Sequence, residues 1–275
     1  MAIYKGDRSD YGIKNARIGK LDEAKSSFIN AIELNSKNTK AYINLSNIYV
    51  LQNEFSKSVA ILINYLKDVY DEDISYRAAK ICFKFKLRKD FNKLIKITNL
   101  TNNIFNKEKK YLFFIKAQFH ETEQNFNEAK QSYKNSILCD NLYFDAYINL
   151  LNLYESTNDI SNLKLLIESA YENFKDKEEE NILNFFDSLR LNRENKFKES
   201  ENLILISNLE NAFKNNINFQ TRLLNLESKN SEKLKKYNLA FNKIEKRNDI
   251  LLNLKSNNKY NKGNILNTIE KYKQF

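Results

Sequence analysis

The chain contains no proline and no tryptophan, and among its 275 residues there are only four glycines, two cysteines, one methionine and one histidine. Sandwiches and barrels need glycine and proline at their many reversals, so this scarcity disfavours a turn-rich β architecture. Cys82 and Cys139 fall in segments read as helical, without a paired or metal-ligand spacing, and are expected to be reduced structural thiols. His120, the single histidine, has no assignable partner and is read as a packed or surface imidazole instead of a general base. Gly6, Gly12, Gly19 and Gly263 are too scattered to cradle phosphate, and neither a G-x-S-x-G nor a G-x-x-x-x-G-K-[ST] sequence occurs. No stretch reaches the roughly 18 apolar residues that a membrane span requires. The start, MAIYKGDRSD, lacks the apolar core of a secretory signal. The expectations are therefore no enzyme, no cofactor, no metal, no membrane and a cytoplasmic location.

What is present is a repeat. Seven tetrapeptides recur as apparent turn markers: LDEA (21–24), FSKS (55–58), FNKL (91–94), FNEA (126–129), ISNL (160–163), FKES (197–200) and YNLA (237–240). Their last residues are 34, 36, 35, 34, 37 and 40 positions apart, and a period near 34 marks a helical repeat in which each unit stacks on its neighbours. After each marker, apolar or small side chains follow at intervals of four and then three, as in Ala24, Phe28, Ala31 and in Ala129, Tyr133, Ser136. That spacing lies on one helix face. A second amphipathic stretch precedes each marker by about twelve to fifteen residues, clearest in Tyr42, Leu45, Tyr49 and in Tyr147, Leu150, Tyr154. Each unit therefore reads as a helical hairpin with small residues where its helices approach closely. With 42% hydrophobic residues, the chain can bury an extensive core along such an array.

These residues resemble the tetratricopeptide repeat. The best unit runs from about Thr39 to Glu72 and places Tyr42, Leu45, Tyr49, Phe55, Ser58 and Leu62 on motif positions; Tyr147, Leu150, Tyr154, Leu163, Ile167 and Ala170 repeat the pattern. The first unit keeps Gly12, Gly19, Ala24, Phe28 and Ala31. The usual closing proline is absent, with Ser36, Tyr70 and Asn141 in its place. The resemblance implies an all-α, right-handed superhelical solenoid of about seven tetratricopeptide-like hairpins, with residues 1–256 as the array. Residues 257–275 are expected to form a basic linker and a terminal capping helix from about Lys262, with Ile265, Leu266, Ile269 and Tyr272 as its apolar stripe.

The resemblance also implies binding of a protein or peptide along a concave wall built by the first helix of each unit. In the second unit the candidate wall residues are Lys40, Ile43, Asn44, Asn47 and Val50; in the fifth they are Asp145, Ile148, Asn149, Asn152 and Glu155. Asparagine can donate to and accept from a peptide backbone, which makes Asn44, Asn47, Asn149 and Asn152 candidate clamps. The net charge of +10 is concentrated at the end of the chain, where residues 228–275 hold twelve Lys or Arg against four acidic residues. Such a local excess favours solvated helix faces over a nucleic-acid surface. Two alternatives stand beside scaffolding. Residues 237–275 are similar to the last repeat and exit helix of bacterial proteins in which a tetratricopeptide array precedes a sulfotransferase domain, which implies a non-catalytic, substrate-recruiting region and room for a neighbouring catalytic domain. An RNA-binding helical repeat would rest on charge alone.

Overall fold

The protein, seen in a computed structural model, is described over residues 8–98 and 107–272, with side chains from 9 to 254. Among the described residues every regular element is helical. The chain divides into two compact units, Met1–Leu150 and Leu151–Phe275. The first holds four hairpins: α1 (Arg8–Arg17) with α2 (Leu21–Leu34), α3 (Thr39–Leu51) with α4 (Phe55–Leu66), α5 (Glu72–Lys84) with α6 (Arg88–Ile97), and α7 (Lys110–Thr122) with α8 (Phe126–Cys139). Helix α9 (Phe144–Ser156) begins in the first unit and ends in the second. The second unit continues with α10 (Ile160–Asn173), α11 (Lys177–Arg193), α12 (Phe197–Ile206), the short α13 (Leu209–Ala212), α14 (Ile217–Lys233) and α15 (Tyr237–Tyr272).

One local device closes all seven hairpins. Gly19, Asn53, Lys86, Gln124, Asn158, Asn195 and Lys235 each adopt a left-handed conformation, with φ between 55° and 79°. The next amide in each case donates back five residues, as Glu54 does to the Tyr49 carbonyl at 2.8 Å and Lys236 to the Ser231 carbonyl at 2.7 Å. The left-handed residue itself donates three residues back, as Asn53 does to Val50 at 3.0 Å. This pair of bonds is the Schellman arrangement, which satisfies two carbonyls orphaned at the end of the first helix and starts the second helix at once. Glycine fills this position in the first hairpin alone; asparagine, the next most tolerant residue, fills three. The recurring tetrapeptides are thus not the turns themselves. LDEA, FSKS, FNEA, ISNL, FKES and YNLA are the first turns of the second helices, which begin at their first residues.

The third unit departs from the expected register. Its left-handed residue is Lys86 and its second helix starts at Arg88, so FNKL lies one turn inside α6. The position five residues beyond the turn, small or leucine elsewhere, is Phe91 and not Leu94. The true turn spacings are 34, 33, 38, 34, 37 and 40. The last two are long because α11 and α14 have 17 residues each and α13 is inserted before α14.

Close packing at the crossings is visible at that fifth position. Ala24, Ser58, Phe91, Ala129, Leu163 and Ser200 are fully buried and Ala240 is nearly so. Twelve residues earlier stand Gly12, Ser46, Ala79, Ala117, Leu151, Ser188 and Ser228. Where the pair includes a serine the helices bond to each other: Ser58 Oγ donates to the Ser46 carbonyl at 2.9 Å, Ser200 Oγ to the Ser188 carbonyl at 2.8 Å, and Ser228 Oγ to the Ala240 carbonyl at 3.1 Å. A buried hydroxyl needs such a partner to offset its desolvation. At Gly12 an added Cβ would stand 2.6 Å from the Phe28 ring, so the absence of a side chain sets the approach of α1 to α2.

Four of the first helices, α3, α5, α11 and α14, start on polar caps in place of proline. Asn38, Asp71, Asp176 and Asn216 accept from the amides of Ala41, Ile74, Glu178 and Phe219, satisfying donors that have no partner within the helix. The acidic run Glu178, Glu179, Glu180 occupies the first turn of α11, where it favours the helix dipole. Asn35 and Asp140 accept from amides two residues on, at 3.0 and 3.2 Å, and turn the chain into the next hairpin. At the chain end the backbone of α15 runs from Tyr237 to Tyr272 without a break, through the stretch read as a linker and separate helix. The stripe Ile265, Leu266, Ile269 and Tyr272 lies outside the residues whose side chains are described.

Candidate functional site

In the first unit the first helices α3, α5 and α7 present one wall, and a groove of about 730 Å³ opens along it. Ile43, Asn47 and Val50 come from α3, Tyr76, Arg77 and Lys80 from α5, and Phe114 and Gln118 from α7. Beneath it lies a packed apolar layer that includes Ile74, Ala78, Cys82, Phe91, Leu94 and Leu112, all fully buried. That layer makes the floor rigid, because a close-packed core resists rotamer change. Tyr76 stacks on Tyr111 at 4.4 Å, and Tyr111 and Phe114 each meet the Tyr143 ring at 5.3 Å, so the aromatic residues continue along the wall. Arg77 Nη1 donates to Asn47 Oδ1 at 3.3 Å. The groove is predominantly apolar with a few placed polar groups, in the size range of ligand sites.

A second, smaller pocket of about 120 Å³ lies within the second unit, among the end of α9, α11 and α14. Its centre is Arg222. The guanidinium sits 5.1, 5.5 and 5.8 Å from the ring centroids of Phe185, Phe186 and Phe219 and donates to Asn152 Oδ1 at 2.9 Å. Burial holds the Arg222 pKa below the ordinary arginine value. Beside it Arg193 pairs with Glu155 at 2.8 Å. Elsewhere in this unit Lys243 bridges Glu210 and Glu227, with 2.8 Å to Glu227, and burial pushes the Glu227 carboxyl up to about 7.

Among the described residues no group of three His, Cys, Asp or Glu could hold a metal ion, and no helix is long and apolar enough to cross a membrane. His120 is partly buried; desolvation, then Arg88 and Lys116, hold its pKa below the usual histidine value. Both cysteines are buried, and burial pushes Cys82 up to about 12 and Cys139 up to about 11.

No protein-family model matches the chain, and no curated protein matches it. Solved structures do. The chain superposes on pilF of Pseudomonas aeruginosa with a TM-score of 0.50 at 10% identity, covering 78% of this chain and 93% of that one. It is also similar to YrrB, described as a TPR protein with an unusual peptide-binding site, at 16% identity, 60% and 84% coverage and TM-score 0.37. MamA from Desulfovibrio magneticus RS-1 gives 11% identity, 61% and 93% coverage and TM-score 0.39. The fold is that of a tetratricopeptide-repeat array.

On the tetratricopeptide hairpins the sequence-derived wall residues take distinct positions. Ile43 and Asn47 line the groove of the first unit; Lys40 is exposed and Asn44 half-buried on the same helix, and neither lines it. Asp145 is exposed at the start of α9, Ile148 is half-buried, and Asn149 turns its amide onto its own helix, donating to the Asp145 carbonyl at 2.7 Å. Asn152 belongs with Arg222 in the second unit. Asn47 and Asn152 stand six residues before their left-handed turns and each accepts from an arginine of a later first helix. Sequence reasoning missed Tyr76, Arg77, Phe114 and Arg222. The signal available was their place on first helices, outward of the buried Ala78, Ile115 and Leu223.

Proposed function

We propose that this chain is a protein-interaction module that docks a segment of a partner protein in the groove of the first unit. The observation that supports it most is the groove: about 730 Å³ of mainly apolar and aromatic surface over a rigid floor, with Asn47, Arg77 and Gln118 as orienting polar groups. An extended segment or partner helix buries its apolar side chains on Tyr76 and Phe114, and the polar groups fix its direction. Lys40, Asn44, Asp145, Ile148 and Asn149 extend the first-helix surface beyond the groove and contribute to the length of the docked segment. Catalysis is not part of this reading, and the chain acts by holding a partner in place.

The test uses a photocrosslinking amino acid at Tyr76 or Gln118 in the source cell, with Lys57, exposed on the second helix α4, as control. Adducts with one partner from the groove positions and not from Lys57 are expected, followed by mass-spectrometric mapping of the crosslinked segment. Synthetic peptide of that segment should bind the purified chain and lose at least about tenfold in affinity on Tyr76→Ala with Phe114→Ala. Equal adduct yields at all three sites, or unchanged peptide affinity in the double variant, would reject the groove.

A further inference from the structure

The last hairpin ends on a bare apolar face. In five of the six hairpins before it the residue four positions past the crossing is buried, as Phe28, Leu62, Tyr133, Ile167 and Ile204 show. In the first two the next first helix supplies the cover: Phe28 shares an apolar cluster with Leu45 and Ile48 of α3, and Leu62 shares one with Ile74 and Ala78 of α5. Ile244 holds the same place on α15 and is 39% exposed. Around it Tyr237, Phe241 and Leu252 are exposed at 64%, 65% and 61%, and Leu251 at 40%. Spaced four, three, seven and one apart, these five lie on a single helix face. Single apolar residues at a surface need no explanation, but a contiguous stripe at the place where earlier hairpins stack on the next helix marks an unfilled interface. A separate capping helix does not fill it, because the backbone of α15 continues unbroken to Tyr272.

We infer that a second copy of this chain covers that face, by antiparallel pairing of α15 with the α15 of the other copy. The period of the stripe selects this occupant. Tyr237, Ile244, Leu251, Asn258, Ile265 and Tyr272 stand seven residues apart, the repeat by which a helix pairs along its length with another of the same kind. Helix α15 has 36 residues, roughly 54 Å at about 1.5 Å per residue, against 17 residues and about 25 Å for α14. Roughly half of α15 thus extends past its hairpin partner, and a lone helical stretch of that length is marginal in water. Lysines set the direction. The companion heptad positions are Phe241, Asn248, Lys255, Lys262 and Ile269, so a parallel pair places each lysine against its own copy, whereas an antiparallel pair keeps them apart. A two-fold axis near Asn248 then seats Phe241 and Ile244 of one copy on Leu251 and Leu252 of the other, an isologous contact. At about 150–250 Å² for a whole aromatic side chain, the exposed parts of the five apolar residues amount to roughly 500 Å² per copy. About 1,000 Å² for the pair reaches the range of a specific interface. The surface lies wholly in the second unit and does not depend on the groove of the first.

Sedimentation velocity of the full 275-residue chain, from about 1 to 100 µM, tests the pairing. A species of twice 32.6 kDa is expected to grow with concentration. Phe241→Asp with Leu252→Asp should raise the dissociation constant at least about tenfold, and it leaves the hairpin packing alone because both side chains are exposed. Leu205→Asp with Ile206→Asp, also exposed but at the end of α12, should leave the dimer intact. Orientation is read from single introduced cysteines under mild oxidation, with the native Cys82 and Cys139 buried. Asn248→Cys should form a disulfide between copies. Tyr237→Cys should not, because its distance from the axis separates the two copies by roughly 30 Å, whereas a disulfide needs Cα atoms within about 7 Å. A monomer at about 100 µM, or a dimer unchanged by the Phe241 and Leu252 variant, overturns the pairing. A disulfide at Tyr237→Cys overturns the antiparallel arrangement. A dimer that appears only after deletion of residues 262–275 assigns the face to the end of its own chain and overturns the second copy as its occupant.

Discussion

Left-handed turns without glycine offer a direct measurement of conformational strain in this fold. Lys86, Gln124 and Lys235 occupy the turn position at φ of 56°, 60° and 62°, and all three are exposed. A left-handed residue with a Cβ costs roughly 1–2 kcal/mol, which glycine relieves. Glycine in turn raises the entropy of the unfolded chain by an equivalent of about 0.4–1 kcal/mol. The difference favours glycine by about 0.5–1 kcal/mol at each position. Lys86 and Gln124 share the first unit but close different hairpins, and distant sites add to within a few tenths of a kcal/mol. Lys86→Gly with Gln124→Gly should therefore raise the stability of that unit by about 1–2 kcal/mol.

Gly19 provides the reverse experiment under clean conditions. It has φ of 79°, and an added Cβ meets nothing within 4 Å, so Gly19→Ala imposes backbone strain without a clash. It should cost about 0.5–1 kcal/mol by the same difference. Urea titration followed by circular dichroism at 222 nm measures both, with the slope of the transition checked for constancy. Destabilisation by Lys86→Gly together with a neutral Gly19→Ala would show that the left-handed positions are not under strain, and the reasoning would fail.

Three further outcomes follow from the packing and the charges. Gly12→Ala should destabilise the first hairpin by about 1 kcal/mol or more, because overpacking against Phe28 exceeds the helix-propensity gain of alanine; Phe28→Leu in the same chain should recover part of the loss in thermal melts. Glu227, whose folded pKa is raised from 4.5 to about 7 by burial, contributes stability that is fully present below about pH 4.5 and is lost as pH rises through 7; Glu227→Gln should flatten the pH dependence of the melting temperature between pH 5 and 8, and an unchanged slope would refute it. Cys82 and Cys139, raised by burial to about 12 and about 11, should have thiolate fractions of about one in a thousand or less at pH 8; labelling by a thiol reagent should await denaturant, and rapid labelling of the native chain would contradict their burial.

The hairpins were legible because they need the same few things at fixed offsets: a buried residue at the crossing, small in five of the seven, an apolar stripe on each helix, and a reversal between them. Ala24, Ser58, Ala129 and Ser200 repeat at the period and are all buried. The third unit misled the reading for a physical reason. Phenylalanine opens the second helix at Phe55, Phe126 and Phe197 but fills the crossing at Phe91, with Ala79 twelve residues before it. An apolar ring satisfies either position, so spacing by residue type aligns Phe91 with the wrong partner. The turns were hidden because lysine and glutamine carry no signature of a left-handed conformation; the hydrogen-bond gain of the Schellman closure, not local preference, holds Lys86 and Gln124 there.

The asparagines show where pattern reading stops. Periodicity places Asn44, Asn47, Asn149 and Asn152 on first helices, but the role of an amide depends on the group opposite it, and that group is far along the chain. Asn47 meets an arginine 30 residues on, Asn152 one 70 residues on, and Asn149 its own helix four residues back. Three asparagines on similar first-helix faces therefore have two functions. Where the amide holds an arginine, replacing it should alter the geometry of the cation before it alters the fold. Asn152→Ala removes one hydrogen bond, worth about 1.5–3 kcal/mol when one partner is charged, yet leaves the stacking on Phe185, Phe186 and Phe219 in place. The Arg222 side chain should then keep its burial and lose its fixed orientation. Side-chain relaxation at Nε reads this directly, and an Arg222 as ordered in Asn152→Ala as in the unsubstituted chain would mean that the aromatic rings alone position the cation.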